Sequence, residues 1–442
     1  MNRNGNSKKP KKRQAETGIT KITVCGFKSI NREQSIEIRP LTILAGANSS
    51  GKSSIMQPLL LLKQTLEATY DPGPLLLNGP NVKFTSVEQF FSRFGNSQFN
   101  DSFKIGIKVE QNHILNLQFE KHKKGGVSVK KMFCKDNEDS ITLQRGMSEK
   151  DILSIPLVKK FEERFSEEEF KWEVTNDRCF LELKYSSQED AILPLYFSIS
   201  KIDSEVQKTI HLPGLRGNPE RTYLVTGVGL GFSGTFENYT ASIIARWQIE
   251  KNHEKLAKLS KDLERLGLTW KVTAKQINDA QVEIQVGRLP RAAKSGAKDL
   301  VNIADVGFGV SQTLPMLVAL LVAEPGQLVY IEEPEIHLHP RAQTALAQII
   351  ADAAIRGVRV VIETHSQLLL MGIQTLVAEG KLAKDLVKLH WFTRRDDGST
   401  DINSADLDES GAFGDWPEDF AETSLEAQSR YLDAAEQHLL IN

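Results

Sequence analysis

The pattern of hydrophobic and polar positions predicts strands at the start of the chain. From Ile19, apolar and polar residues alternate in ITKITVCGFKSI and in QSIEIRP, and a continuous apolar run follows at 41–45. Alternation predicts strands with one buried face, and a short continuous run predicts a strand buried on both faces. The next apolar segment, MQPLLLLKQTLEA, predicts a buried helix, which Pro58 should kink or interrupt.

The middle of the chain predicts a β-rich lobe with an insertion. The segments FKIGIKVE, HILNLQFE and CFLELKY alternate well, and the charged segment SEKDILSIPLVKKFEERFSEEEF has a helical pattern. Residues 238–267 then show apolar positions at a spacing of three and four, which predicts one long helix of about 45 Å.

Two later buried strands end in polar residues. LVYIEEPEIHLHP places Glu332 and Glu333 after an apolar run, and VRVVIETHS places His365 after another. We expect the strand that ends at His365 to lie in the same sheet as the strand at 41–45.

The strand at 41–45 leads into a glycine-rich turn with the spacing of a P-loop, G-x-x-x-x-G-K-S. Glycines allow the backbone N–H groups to face one concavity, and the start of the following helix adds a positive dipole. Lysine and serine can then bind phosphate oxygens and Mg²⁺. The predicted ATP-binding residues are Gly46, Asn48, Ser49, Ser50, Gly51, Lys52, Ser53 and Ser54.

The two neighbouring glutamates should have different roles, because adjacent strand residues face opposite sides. We expect Glu332 to join Ser53 in holding Mg²⁺, and Glu333 to accept a proton from the water that attacks the γ-phosphate. His365 is expected to hydrogen-bond the γ-phosphate or that water. His337 and His339 could form a metal pair, but a role in the turn is favoured because no third ligand follows at a metal-like spacing.

The segment DVGFGVSQ is a glycine turn that opens a hydrophobic helix. Its N-terminus predicts a second anion-binding end, which we interpret as a contact supplied in trans to a partner's nucleotide through Gly307, Gly309 or Ser311. A plain strand-to-helix turn is the alternative.

Composition limits the partners and the compartment. The net charge of −2 makes no general case for nucleic acid or membrane binding, and the three cysteines share no metal-type spacing. No long apolar run and no secretory leader are evident, so we expect a cytoplasmic protein with reduced thiols.

Three charged segments remain open to interpretation. The first 17 residues are basic and fit either a disordered tail, which is favoured, or an arm for phosphate backbones. Arg216 and Arg221 could touch a phosphate or another subunit, or could pin their loop to the body. The last stretch is acidic and could neutralise the basic arm; a metal-dependent nuclease site there is disfavoured because no strand clearly positions the acids.

With these motifs placed, the chain resembles the ATP-binding-cassette (ABC) type ATPases of the chromosome-maintenance (SMC) and overcoming-lysogenisation-defect group. GANSSGKSS looks like their Walker A, LVYIEEPEIHLHP like their Walker B with its dimer-contact loop, and ETHS like their switch histidine. DVGFGVSQ stands where their signature motif belongs but departs from L-S-G-G-Q, and Glu332 replaces the commoner Asp. HLPGLRGNPERTY and GAFGDWPEDF look like a bacterial family of stand-alone ATPases found in anti-phage defence systems.

The resemblance implies an α/β fold, a two-lobed ABC-type ATPase head with a β-rich lobe and an inserted α+β subregion. It implies ATP and Mg²⁺ as cofactors, a homodimer or higher homo-oligomer formed through an ATP sandwich, and no membrane. Because the stretch after ETHS is short, we expect any nuclease or toxin activity in a separate effector protein, with DNA or a phage protein as a trigger. Gln64 and Gln89 are both candidates for the glutamine that couples the insertion to Mg²⁺.

The predicted division of the chain has six parts. They are a basic arm (1–17), a lobe with Walker A (18–118), the insertion (119–210), an Arg-rich loop with the long helix and a strand pair (211–300), a lobe with the signature, Walker B and switch histidine (301–395), and an acidic tail (396–442). The leading hypothesis for function is an ATP-driven dimerisation switch in a defence complex. The alternatives are a DNA-binding ATPase of repair or recombination, and a scaffold that binds ATP but hardly hydrolyses it.

Overall fold

A computed structural model describes most of the 442 residues. The described residues are 17–94, 98–122, 125–164, 170–186, 192–195, 199–227, 229, 231–289 and 299–414. The predictions for the basic arm and for the tail beyond residue 414 fall outside this part of the chain.

The strands are numbered in chain order. They are β1 (Ile19–Cys25), β2 (Gln34–Glu37), β3 (Leu41–Gly46), β4 (Arg93–Phe94), β5 (Gln98–Phe99), β6 (Ser102–Val109), β7 (His113–Lys121), β8 (Val127–Asp136), β9 (Asp139–Gln144), β10 (Lys171–Asp177), β11 (Phe180–Ser186), β12 (Ile192–Leu195), β13 (Ile210–Leu212), β14 (Tyr223–Leu224), β15 (Val272–Asn278), β16 (Gln281–Gly287), β17 (Leu300–Asn302), β18 (Leu328–Glu332), β19 (Arg359–Thr364), β20 (Val387–Arg394) and β21 (Thr400–Ala405).

The helices are numbered in the same way. They are α1 (Lys52–Glu67), α2 (Glu149–Leu153), α3 (Pro156–Arg164), α4 (Ser200–Gln207), α5 (Thr240–Ile249), α6 (His253–Arg265), α7 (Phe308–Val322), α8 (Pro340–Ile355) and α9 (Gln367–Ala378).

The central sheet has the strand order β13-β18-β19-β3-β20-β21 and is parallel except for β21. The three strands that the sequence marked as buried, β3, β18 and β19, are therefore neighbours in this sheet. Parallel strands carry their carboxyl ends to one edge, where ligands bind in open α/β sheets. This arrangement brings the three polar strand ends together.

The central sheet packs on both faces, which is why its strands are continuously apolar. Leu41 and Ile43 join a core that includes α7, α8 and α9, and Leu44 faces a second core that contains α1 and the antiparallel sheet. That second sheet has the order β2-β1-β6-β7-β8-β9. The predicted fold class, an α/β P-loop ATPase head with a β-rich lobe, is confirmed.

Smaller sheets complete the fold. A sheet of β10, β11 and β12 lies with α2 and α3 in the predicted insertion, and β14, β16, β15 and β17 form another. The boundary predicted between residues 118 and 119 falls inside β7, which pairs with β6 and β8 on both sides of that point. The boundary predicted at 395 falls in the turn between β20 and β21, so residues 400–405 add a strand to the central sheet.

The structure tests two helix predictions. α1 runs through Pro58 as one helix of 16 residues, so Pro58 does not interrupt it, since the packing of its apolar surface outweighs one missing hydrogen bond; a kink at Pro58 stays a prediction. The prediction of a single helix over 238–267 is wrong, because the structure has two helices there, α5 and α6. A positive φ of 53° at Lys251 interrupts the helical backbone, and the Asn252 side chain accepts a hydrogen bond from Lys255 N to cap α6.

Candidate functional site

The turn between β3 and α1 has the backbone shape that a P-loop needs. Gly46 has a φ of 146° and Gly51 a φ of 99°, both in the region that favours glycine. A Cβ at Gly46 would lie 2.3 Å from the oxygen of Phe392, and one at Gly51 would lie 2.4 Å from Thr400 Oγ1. Neither position has room for a side chain.

Lys52 folds back over this turn. Its Nζ donates hydrogen bonds to the backbone oxygens of Gly46, at 3.1 Å, and Ala47, at 2.9 Å. Burial lowers the pKa of Lys52, although Glu363 and Glu333 oppose the shift. The ammonium therefore lies in the concavity where a phosphate oxygen would be bound.

The rest of the turn also fits a polyphosphate. The first N–H groups of α1 have no intrahelical partners and point out of the helix start. Asn48 and Ser49 are exposed, whereas Ser50 and Ser54 are buried. The Ser50 Oγ atom is enclosed and has no hydrogen-bond partner in the described structure.

Ser53 contacts a carboxylate that the sequence reasoning did not assign. Its Oγ donates to Glu363 Oε1 at 2.9 Å, and the hydroxyl of Tyr330 donates to Glu363 Oε2 at 2.8 Å. Burial, with the nearby charge of Glu332, raises the pKa of Glu363 to about 7. The register pairs Glu332 with Glu363 across β18 and β19, so both carboxylates lie on one face of the sheet.

The carboxylate of Glu332 contacts β13 and the loop that follows it. Its Oε1 lies 3.1 Å from His211 Nε2, and its Oε2 accepts a hydrogen bond from Gly214 N at 3.2 Å. Burial favours the neutral acid, but the contact with His211 and the hydrogen bonds from Gly214 N and Tyr330 together outweigh it and leave the pKa of Glu332 below its usual range. Ser53, Glu332 and Glu363 together offer the oxygen ligands that Mg²⁺ prefers.

Glu333 leaves the strand in a different direction. Its φ of 43° is uncommon for a residue with a side chain, and its N–H donates to the backbone oxygen of Glu363 at 2.8 Å. The Glu333 Oε1 atom lies 3.8 Å from His365 Nε2. The predicted pair of catalytic residues is thus close together at the carboxyl edge of the sheet.

Glu335 fixes the backbone around His365. Its Oε1 accepts hydrogen bonds from Thr364 Oγ1, at 2.7 Å, and from His365 N, at 2.8 Å. Burial raises the pKa of Glu335, and its Oε2 has no partner among the described residues. This residue was missed because its role depends on the contact between two loops.

The surroundings of the His365 side chain favour its neutral form. Burial lowers the pKa of His365, and the positive charge of Lys52 lowers it further. A neutral imidazole can accept a hydrogen bond as well as donate one. It can therefore orient a water or a phosphate oxygen near Glu333.

The predicted signature segment forms the start of α7, with Gly307 as its N-cap residue. Gly307 and Phe308 are exposed, but Ser311 is buried and its Oγ donates to Phe308 O at 3.2 Å. A Cβ at Gly309 would lie 3.1 Å from a side-chain carbon of Leu268. Of the three candidates for a trans contact, Gly307 is exposed, Gly309 is partly exposed and Ser311 is buried.

The loop after β13 connects Walker B to the signature helix. Arg216 is 6% exposed and donates from Nη1 to Gln312 O, at 2.9 Å, and from Nη2 to Glu332 O, at 3.0 Å. Burial lowers the pKa of Arg216 to about 10. Arg216 therefore pins the loop through carbonyls, as one of the two interpretations predicted, whereas the exposed Arg221 pairs with Asp305 at 2.8 Å.

The other polar candidates have structural partners. His337 stacks near Phe308 with ring centroids 5.8 Å apart, and His339 caps α8 by accepting from Arg341 N. Gln64 is buried in hydrogen bonds to the backbone at 76–82, and Gln89 bonds Thr85.

Three further features that the sequence raised are a metal site, a membrane-spanning helix and an acidic stretch. In the part of the chain that the structure describes, no group of three or more His, Cys, Asp or Glu residues could hold a metal ion. Over those same residues, no helix combines the length and apolar character needed to cross a membrane. The acids of the β20–β21 region that the structure describes include Asp401 and Asp406, which pair with Arg395 and with Lys388.

Comparison with solved structures finds heads of chromosome-maintenance proteins. An Smc head bound to the C-winged helix domain of ScpA has 15% identity and a TM-score of 0.49, and the match covers 89% of this chain and 99% of that chain. The SMC head domain from Thermotoga maritima has 10% identity and a TM-score of 0.39, and the match covers 87% of this chain and 98% of that chain. An Smc head with an extended coiled coil, bound to the C-terminal domain of ScpA derived from Pyrococcus furiosus, has 13% identity and a TM-score of 0.45. That match covers 95% of this chain and 99% of that chain.

Comparison by sequence adds the family. A search of curated proteins finds no match. The family profile described as AAA ATPase domain matches residues 18–370, which is well over half of the chain and includes the P-loop, both glutamates at the end of β18 and the histidine after β19. The protein belongs to the AAA ATPase domain family.

Proposed function

We propose that this ATPase hydrolyses ATP with Mg²⁺ and that ATP joins two copies of the chain. The observation that carries the proposal is the convergence of Lys52, Ser53, Glu333 and His365 at one edge of the central sheet. A phosphate cradle, metal-binding oxygens and a carboxylate beside a neutral imidazole are the parts that phosphoryl transfer to water requires. When bound, Mg²⁺ would neutralise phosphate charge.

Each residue has a distinct role in this proposal. Lys52 and the start of α1 bind the phosphates, and Ser53 with Glu332 and Glu363 holds the metal. Glu333 accepts the proton of the attacking water, and His365, 3.8 Å away, orients that water or the γ-phosphate. Glu335 keeps the backbone of His365 in place.

The dimer is supported by what surrounds the site. Phe308 is 49% exposed and Leu215 is 88% exposed, although both are large and apolar. Phe308 begins α7, whose N-terminus would favour an anion, and Leu215 lies between Gly214 and Arg216 beside Glu332. In the proposed sandwich, this surface of one copy covers the nucleotide of the other.

The first test is the mass of Glu333→Gln protein in solution. With ATP and Mg²⁺ the variant should shift from 49.4 kDa to about twice that mass, because it binds ATP without hydrolysing it. The wild type should hydrolyse ATP, and the variant should be slower by at least about 100-fold. The matched control is Glu379→Gln, which removes an exposed carboxylate at the end of α9.

Three results would contradict parts of the proposal. A mass that ATP does not change in Glu333→Gln would remove ATP as the link between subunits. Wild-type turnover at the background level would support the scaffold alternative. Tight duplex DNA binding that weakens steeply with salt would support the DNA-repair alternative.

We further propose that the closed form acts on a separate effector protein in anti-phage defence. The support is the resemblance of HLPGLRGNPERTY and GAFGDWPEDF to stand-alone ATPases of such systems. Cells that carry the chain with its neighbouring genes should resist phage, and Lys52→Ala and Glu333→Gln should remove that resistance. Equal plaque counts with and without the wild-type chain would sink the defence role and leave the ATPase intact.

A further inference from the structure

His211 lies on β13, which neighbours β18 in the central sheet. The register pairs His211 with Tyr330, and the two rings stack with their centroids 5.5 Å apart and their planes 9° apart. His211 is only 1% exposed. Its Nδ1 atom lies 3.1 Å from Asn81 Oδ1, and its Nε2 atom lies 3.1 Å from Glu332 Oε1. The imidazole is therefore held in one orientation by contacts at both nitrogens and on one face.

The orientation of the Glu332 carboxylate depends on this imidazole. Its Oε1 atom contacts His211, and its Oε2 atom accepts the hydrogen bond from Gly214 N. Glutamate is among the side chains that lose most rotamer freedom when they are ordered. Contacts at both oxygens fix the plane of the carboxylate, so that little further ordering is needed when it binds a metal ion.

A second set of contacts connects His211 to α1, the helix that carries Ser53. Gln64 on α1 is 1% exposed, and its Oε1 atom accepts a hydrogen bond from Asn81 N at 3.2 Å. The side chain of Asn81 in turn contacts His211. Ser53 at the start of α1 and Glu332 at the end of β18 are therefore both positioned relative to the same helix.

We propose that His211 is a positioning residue for the metal site, which holds the Glu332 carboxylate where it can bind Mg²⁺ together with Ser53. This inference rests on the proposed function for one point, the role of Glu332 as a metal ligand. Loss of a residue that orients a metal ligand lowers metal affinity by about 10- to 100-fold. His211 should therefore act on the binding of Mg²⁺ and not on the phosphate cradle around Lys52.

The test measures the affinity of the chain for ADP by titration calorimetry, once in EDTA and once in excess Mg²⁺. The ratio of the two dissociation constants is the gain that the metal supplies. His211→Phe keeps a ring beside Tyr330 but has no ring nitrogen, and it should lower this gain by about tenfold or more. Its ADP affinity in EDTA should equal that of the wild type. His211→Gln should keep most of the gain, because an amide can again donate to Glu332.

The matched control is His390→Phe. His390 is also 1% exposed and also lies in the central sheet, on β20. It has a partner at each ring nitrogen, Ser404 Oγ at 2.7 Å and Glu37 O at 2.9 Å, and neither belongs to the nucleotide site. This variant loses two buried contacts as His211→Phe does, yet it should leave the gain from Mg²⁺ unchanged.

Weak ADP binding in EDTA would show that His211→Phe does not fold, and Asn81→Ala, which removes only the contact behind the imidazole, then decides with a smaller expected loss of gain. A gain equal to that of the wild type in both variants, or an equal loss in His390→Phe, would overturn the positioning role. A wild type without any gain from Mg²⁺ would overturn the metal role of Glu332 as well. The mass shift of Glu333→Gln tests the ATP sandwich separately.

Discussion

At the scale of single residues, Glu363 links three parts of the site. It accepts hydrogen bonds from Ser53 on α1 and Tyr330 on β18 while belonging to β19. Two carboxylates on one buried face repel each other, and Glu332 keeps its charge because His211 is its partner. Burial, together with the repulsion from Glu332, therefore raises the pKa of Glu363 to about 7.

Replacing Glu363 with Gln should change how stability depends on pH in protein free of metal and nucleotide. The folded state holds this proton more tightly than the unfolded chain, whose pKa is near 4.5. Raising the pH from about 4.5 through about 7 therefore lowers the free energy of unfolding of the wild type by up to about 3 kcal/mol at this site.

Glu363→Gln has no carboxyl group to ionise at this position. The free energy of unfolding of the variant minus that of the wild type should therefore rise between pH 5 and pH 8. Urea unfolding in EDTA at both pH values measures the difference, and comparing pH values removes any constant effect of the substitution. Parallel pH profiles for the two proteins would show that Glu363 ionises normally.

At the scale of elements, the break between α5 and α6 decides how the region after β14 packs. α5 lies against β15, β16 and α7, whereas α6 lies against α7 and α8. One straight helix could not do both. Lys251, with its positive φ, and Asn252, with its capping side chain, turn the chain so that Trp247 and Leu263 both reach the same core.

Asn252→Ala should lower the free energy of unfolding by about 1 kcal/mol, because the N–H of Lys255 loses its side-chain acceptor. Asn252→Asp is the matched control, since it keeps an acceptor and places a negative charge at the start of α6. Urea unfolding followed by circular dichroism measures both. Equal losses in the two variants would mean that the cap contributes nothing.

At the scale of the whole molecule, the exposed apolar residues fall at different edges. Phe308 stands with His337 near the carboxyl edge of the central sheet, where the nucleotide site lies. Ile355 ends α8, just before β19 begins, and so lies toward the opposite edge. The two side chains are almost equally exposed, at 49% for Phe308 and 50% for Ile355. A sandwich formed through the carboxyl edge would place Phe308, and not Ile355, in the interface.

Phe308→Glu should prevent the ATP-driven mass increase when combined with Glu333→Gln, because it places charges in an apolar contact beside a bound anion. ATP binding by the single chain should remain. Ile355→Glu, in the same background, should still double its mass. Light scattering and nucleotide binding compare the three proteins, and loss of assembly in both glutamate variants would argue against an interface at the carboxyl edge.

The sequence by itself determined the local chemistry. The spacing of Gly46, Gly51 and Lys52 after an apolar run predicted the turn between β3 and α1, because that order of residues fits a tight turn that opens a helix. The apolar runs before Glu332 and His365 predicted buried strands, and both are present. These signals are local, so a linear pattern is enough to read them.

Only the tertiary structure decided which of these groups meet. The roles of Glu363, Glu335 and Arg216 depend on strand register and on contacts between residues far apart in the chain, such as Arg216 with Gln312 and Glu332. The break at Lys251 was hidden for a similar reason: a periodic apolar pattern continues across a turn when both helices pack on the same core. Periodicity reports which residues are buried, and only packing fixes the direction in which the chain then runs.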